Sequence, residues 1–208
     1  MEKVIVNNPV MDYNLAKFRD KNTSTCECNI AVENLSFFLA GEISRFLQTE
    51  EKNIVTPLGE MLCQVIEEEI VLVPVLRAGV SMLGGFQRML PQSKVGFVWA
   101  HRNEEALPII DKAKFPKTID GNVEISGKTV VILDTMLATA GTINATADLV
   151  MQYKPKQVLC ASVLSTPLGI SNLSANITAL VTVSEADGLD DRAYICPGVG
   201  DSGDRLYG

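Results

Sequence analysis

Asp134 follows four apolar residues, Val130-Val131-Ile132-Leu133, and precedes the small, hydroxyl-rich run Ala138-Thr139-Ala140-Gly141-Thr142. The apolar residues read as a strand buried on both faces, and residues 143–153 carry helical periodicity. A turn of that kind gathers free backbone N–H groups, the Thr139 and Thr142 hydroxyls and the positive end of a helix dipole at one point. Such a point binds phosphate. A carboxylate just ahead of it is placed for a sugar hydroxyl or a hydrated metal ion. Taken alone, the stretch is equally consistent with an ordinary strand, turn and capped helix.

Two arginines strengthen the first reading. Arg77 follows the apolar run 70–76, and Arg102 follows the run 94–100. Both runs read as strands, so Arg77, Arg102 and Asp134 all fall just past a strand's carboxyl end, where open parallel sheets collect ligands. Apolar periodicity at Leu35, Phe38, Leu39, Ile43, Phe46 and Leu47 predicts a helix with Glu42 and Arg45 outward. Residues 56–66 read as a short helix with Pro57 at its first position, and the segment up to Thr25 as polar and irregular, with Thr23-Ser24-Thr25 ready to cap a helix. Further strands are expected at 158–164 and 178–183, with a helix near 168–173 between them. Strands alternating with helices predict an α/β fold, a mostly parallel sheet covered on both faces. The stretch from Arg102 to Ile125 is long for a connection and reads as a lid or flap. The tail from Gly188 to Gly208 is rich in Gly and Asp and reads as loops and short strands.

Bulk properties narrow the field. A chain of 208 residues suggests one domain with room for a proper core. The net charge of -7 argues against a nucleic-acid partner, although it leaves room for a local basic pocket. No apolar run has the length of a signal peptide or a membrane span, so a cytoplasmic protein is expected. The five cysteines are then free thiols by default. Cys26 and Cys28 lack the second pair that a zinc site would need.

The run Asp134-Thr135-Met136-Leu137-Ala138-Thr139-Ala140-Gly141-Thr142 resembles the phosphoribosyl-pyrophosphate (PRPP) loop of uracil phosphoribosyltransferases, usually D-P-M-L-A-T-G-G-S. Three further segments match that family in order: Arg19-Asp20-Lys21-Asn22-Thr23-Ser24-Thr25, Val73-Pro74-Val75-Leu76-Arg77-Ala78-Gly79, and the specific tail Tyr194-Ile195-Cys196-Pro197-Gly198-Val199-Gly200-Asp201-Ser202-Gly203-Asp204-Arg205. Arg102-Asn103-Glu104-Glu105 is a weaker fifth match. The resemblance implies one domain over 1–208: a three-layer, type I phosphoribosyltransferase-like fold with a flap near 102–125 and a base-binding hood near 186–208. It implies transfer of the phosphoribosyl group from PRPP to uracil, giving UMP and pyrophosphate, with Mg2+ carried in by PRPP. Arg77 and Arg102 would then take the pyrophosphate, since guanidinium forks match phosphate oxygens. Residues 134–142 would hold PRPP, with Asp134 on the ribose hydroxyls. Asp201 would stand near magnesium and pyrophosphate, and Ile195, Gly200, Asp201 and Ser202 would read uracil. A homodimer or homotetramer, with the N-terminal helix at the interface, and a GTP effector also follow from the family.

The sequence departs from the family pattern in places. Thr135 stands for Pro, Ala140 for Gly, Thr142 for Ser, and Ser202 for a usual Ala. A β-carbon at 140 costs little at negative φ but restricts an amide that faces phosphate otherwise. The Ser202 hydroxyl could bond to uracil or alter selectivity, and the flap carries Asp111-Lys112 where an aromatic pair is common. Two alternatives stay open: a non-catalytic or regulatory protein of the same fold, and a phosphoribosyltransferase for another base. Gly200-Asp201-Ser202-Gly203 also resembles a serine-protease nucleophile loop, but the α/β alternation contradicts that fold.

Overall fold

The computed structural model describes residues 1–102 and 108–208, without the side chains of His101 and Arg102. Strand β1 (Glu2–Ile5) leads into helix α1 (Pro9–Arg19) and the long helix α2 (Thr25–Ile43). The first segment is therefore ordered, contrary to the expectation of an irregular start. Asn8 accepts from the N–H groups of Val10 and Met11 to cap α1, while β1 pairs in parallel along β10 (Ala179–Glu185). β1 leaves no apolar period, because it is an edge strand with mostly exposed side chains, whereas α1 does carry one in Met11, Leu15 and Phe18. Ser24 caps α2 in a reciprocal box with Glu27, and Leu35, Leu39 and Ile43 all face inward.

Strands β2 (Thr49–Thr56) and β3 (Gly59–Ile66) form an antiparallel hairpin in place of the expected short helix. Pro57 instead sits in the turn, where Thr56 Oγ1 donates to the Gly59 carbonyl and accepts from the Leu58 N–H. A proline with a glycine two residues on suits such a turn as well as a helix start. The next elements are β4 (Ile70–Leu76), a 3-10 turn (Ala78–Met82), α3 (Leu83–Met89), β5 (Lys94–Val95), β6 (Phe97–Arg102) and β7 (Pro108–Lys114). They are followed by β8 (Thr129–Leu137), α4 (Gly141–Met151), β9 (Gln157–Ser165), α5 (Pro167–Ser171), β10, β11 (Gly188–Leu189), β12 (Ile195–Cys196) and α6 (Ser202–Tyr207).

Among the described residues the central sheet runs β1-β10-β9-β8-β4-β6-β7, with β5 also on β4. All of its pairs are parallel except β6 with β7. The unbroken apolar runs divide by alternation. Val131 and Leu133 face the layer of α1, α2 and α3, whereas Val130 and Ile132 face α4. No helix among the described residues is long and apolar enough to cross a membrane.

After β4 the chain runs outward to β6 and β7, and after β8 it runs the opposite way to β9 and β10. The crevice between the carboxyl ends of β4 and β8 is thus the sheet's switch point, the usual ligand position in open α/β sheets. At the opposite end, the Glu68 carboxylate accepts from Thr129 Oγ1 (2.5 Å), Lys156 Nζ (2.7 Å) and the Gln48 N–H (2.8 Å). Burial pushes this carboxyl up, but the bonds from Lys156, Thr129 and Gln48 outweigh it and hold it below the usual range.

The β8–α4 turn decides between the two cases that the sequence leaves open. Ala140 caps α4 at φ 68°, in the left-handed region, so the negative φ that would make its β-carbon harmless is not adopted. Its methyl packs inward with Ile143 and Ala147, which offsets part of the strain.

Two outcomes follow for unfolding experiments. Glu68→Gln should lose about 1–3 kcal/mol near neutral pH. A lowered folded pKa stabilises above the unfolded value near 4.5 and is lost as pH falls through the folded one, so the deficit should shrink below pH 4.5. At Ala140, valine should cost about 1–3 kcal/mol by crowding and strain. Glycine should stay within about 1 kcal/mol of wild type, since relief of strain is balanced by chain entropy and a lost methyl.

Candidate active site

A cavity of about 600 Å³ opens at the switch point. One wall comes from the ends of β4 and β6, with Leu76, Arg77, Ala78, Trp99 and Ala100. A second comes from β8 and the turn after it, with Asp134, Met136, Ala138 and Thr142. The tail supplies the third, with Tyr194, Ile195, Asp201, Ser202 and Gly203 among its residues. A small adjoining cup is lined by residues of the β8–α4 turn from Asp134 to Ile143, including Leu137, Thr139, Ala140 and Gly141.

Each wall has a local cause. β4 ends with a cis peptide between Leu76 and Arg77, and the 3-10 turn then folds back onto β8. A β-carbon on Gly79 would stand 2.3 Å from the Leu133 carbonyl oxygen, so only glycine fits that approach. Asp134 is the first residue of β8 beyond its pairing with β4, although the strand continues along β9 to Leu137. Its Oδ1 lies 3.5 Å from the Met136 N–H. The cup sits at the amino end of α4, with Pro108 of β7 against Gly141.

Asp201 caps α6 by accepting from the Asp204 N–H at 2.9 Å. Arg77 reaches across the cavity and donates to Asp204 Oδ1 at 2.6 Å. The Arg192 guanidinium lies 5.6 Å from the Tyr194 ring centre. Arg205 donates to the Asp20 carbonyl at 2.7 Å, which ties the last motif of the chain to the first and seats α6 against α1. All five cysteines are unpaired. Burial first, and the charge of Asp134 second, push the Cys160 thiol up, so it stays an inert core group.

Most of the sequence-predicted site residues meet at these two hollows. Thr135 does not line either one: it lies between Asp134 and Met136, and strand alternation turns its side chain into the interior, fully buried. Its hydroxyl is 2.8 Å from that of Ser202. Gly200 lies beside the cavity without lining it, at φ 73°. Arg102 ends β6; its side chain, and residues 103–107 of the flap, lie outside the described residues. Trp99 and Arg192 line the cavity outside every motif quoted from the sequence, and Tyr194 and Gly203 line it within the tail motif, which gave them no role of their own. The run-up to Ile195 in the tail was the only signal pointing to Arg192 and Tyr194. Among the described residues, no group of three or more His, Cys, Asp or Glu could hold a metal ion.

The chain is similar to known proteins along its whole length. The family model described as uracil phosphoribosyltransferase matches residues 5–208. A uracil phosphoribosyltransferase of Renibacterium salmoninarum is 36% identical over 215 residues, covering 100% of this chain and 99% of the relative. One of Acholeplasma laidlawii is 34% identical, covering 99% and 97%. A solved structure from Aquifex aeolicus superposes with a TM-score of 0.89 at 32% identity, over 99% of this chain and 97% of that one. A hypoxanthine-guanine phosphoribosyltransferase from Bacillus anthracis (TM-score 0.53, 19% identity, 76% and 79% covered) shows a likeness of fold alone. With a match that runs from the first strand to the last residue, and full-length relatives above 30% identity, the chain belongs to the uracil phosphoribosyltransferase family.

Proposed function

We infer that the chain, 1–208, is one catalytic unit that transfers the phosphoribosyl group of PRPP to N1 of uracil. The products are UMP, pyrophosphate and the proton of N1. One observation carries the reading: the turn after β8 and the C-terminal tail, about sixty residues apart in sequence, line one cavity with Arg77 at its edge.

The cup at the start of α4 suits the 5-phosphate, with backbone N–H groups and the Thr139 and Thr142 hydroxyls as donors. Asp134 accepts hydrogen bonds from the ribose hydroxyls. Arg77, with Arg102 as its proposed partner, takes the pyrophosphate; one Arg77 nitrogen, Nη2, donates to Asp204 Oδ1, an exposed pair that a phosphate oxygen could replace. Uracil presents an N–H between two carbonyls, and the main chain around Ile195 and Gly200-Asp201-Ser202 offers donors and acceptors at close range. Cytosine would leave buried groups unpaired, a mismatch worth on the order of 10⁴-fold in sites of this kind. The bond to pyrophosphate breaks early and leaves an oxocarbenium-like sugar, so the chain contributes chiefly position and charge.

Magnesium is part of the proposal. Asp201 lines the cavity with one carboxylate oxygen engaged by the α6 cap, which suits an ion held mostly by PRPP oxygens and water. Bound there, it would neutralise charge on the departing pyrophosphate. The five unpaired cysteines support a reducing, cytoplasmic location. Exposed Phe37 on α2, with Val55, Leu58 and Leu62 on the hairpin, supports a homodimer or homotetramer that would cover them. The flap is proposed to close from the β6–β7 side, and the tail from 186 onward to act as the hood over the base.

Incubation with PRPP, Mg2+ and a panel of bases, with and without GTP, tests the activity. UMP and pyrophosphate should form with uracil alone; folded protein that binds PRPP yet turns over no base would support the regulatory alternative instead. Asp134→Asn should weaken PRPP binding roughly ten- to hundredfold by calorimetry while leaving the melting temperature in place. Unchanged affinity would remove Asp134 from the site.

A further inference from the structure

Thr135 and Ser202 are 67 residues apart, and their hydroxyls meet at 2.8 Å in the interior. Thr135 is 0% exposed and Ser202 6%. Each stands between two residues that line the cavity, Asp134 and Met136 for one, Asp201 and Gly203 for the other. A bond between them therefore joins the β8 wall to the tail wall at the height of the cavity itself. Elsewhere the tail is tied by Arg205 to the end of α1, by Asn29 of α2 to the Leu206 carbonyl, and by Tyr207 to Ser81 of the 3-10 turn. Arg77 with Asp204 also spans the gap, but that pair is half exposed and available to an anionic ligand.

The chemistry makes the pair mutually dependent. A hydroxyl buried without a partner is costly, whereas in this pair one O–H donates and the other oxygen accepts, so each hydroxyl has a partner. Both positions depart from the pattern D-P-M-L-A-T-G-G-S and its usual tail Ala, and proline and alanine in those places would offer no hydroxyl.

We propose that the Thr135–Ser202 hydroxyl pair is a positioning device that sets the distance between the sugar-holding strand and the base-holding turn. This rests on the reading of the cavity as a phosphoribosyltransferase site. Thr135 acts through Ser202: it holds the start of α6, and with it Asp201 and the main chain offered to uracil, at a fixed reach from Asp134. In-line transfer is sensitive to such spacing, because a shift of about 1 Å can cost on the order of a hundredfold in rate.

The test is a double-mutant cycle on the full chain with Thr135→Val, Ser202→Ala and both together, and with Thr135→Ser as the conservative variant. Initial rates give kcat and KM for each substrate, direct titration gives PRPP affinity, and melting gives stability. Each single variant should lower kcat/KM for uracil about tenfold, the size of one buried coupling, with PRPP affinity held within about twofold. The double variant should be no worse than the worse single, and Thr135→Ser should stay near wild type. Losses that multiply in the double variant would overturn the pairing. Losses shared equally by PRPP affinity and melting temperature would show a bond that only holds the fold, and would overturn the positioning role. An active wild type with multiplying losses counts against the pair alone, whereas a wild type without turnover on uracil overturns the functional reading and this proposal with it.

Discussion

The backbone of the 3-10 turn after β4 lies directly on the end of β8, with Gly79 against the Leu133 carbonyl. Everything at the cavity depends on that approach. β4 and β8 are paired in parallel as far as Pro74 and Leu133, so their ends lie side by side. The close turn then brings Arg77 round to the same side as Asp134, a cation and an anion at neighbouring strand ends. Because the chain leaves β4 and β8 in opposite directions, nothing of the sheet's own connections fills the crevice. The tail can therefore fold over it, and it is anchored there by α6 packing on α2 and the 3-10 turn, with Arg205 on the end of α1.

The two ends of the sheet are built for different tasks. At the amino ends, charges are tied down: Glu68 is satisfied by three partners, and Lys128 by Glu69 and Glu124. At the carboxyl ends, Arg77, Arg192 and Asp201 line the cavity with exposed side chains, and Arg77 is held by the exposed Asp204, a contact that a ligand could exchange. Exposed ion pairs contribute little to stability. Their cost and benefit therefore fall on binding more than on folding, while the apolar strands between the two ends hold the geometry.

Much of this could be read from the residues. The continuous apolar runs of β4, β8 and β9 announced buried parallel strands, and Arg77 and Asp134 at their ends announced a site. The misreadings have physical causes. Pro57 suits a helix start and a tight turn alike, and the hairpin around it is too exposed to show a buried face. β1 is an edge strand whose partner is the last long strand of the sheet, a pairing that no local pattern encodes. The φ of Ala140 is open in the sequence rather than misread, since alanine ordinarily avoids the left-handed region it adopts. Thr135 belongs to the PRPP-loop run by sequence, and strand alternation turns its side chain away from those of Asp134 and Met136. Its bond to Ser202 spans the chain and becomes visible only when both walls are in place.

The account stands on the claim that one cavity holds the sugar phosphate and the pyrimidine together, and a crystal structure of the chain with UMP tests it most directly. The 5-phosphate should occupy the cup formed by residues 138–142, the ribose hydroxyls should meet Asp134, and the uracil ring should lie against Ile195 and the main chain of 200–202. UMP bound elsewhere, or bound with its ring turned away from the tail, would contradict it.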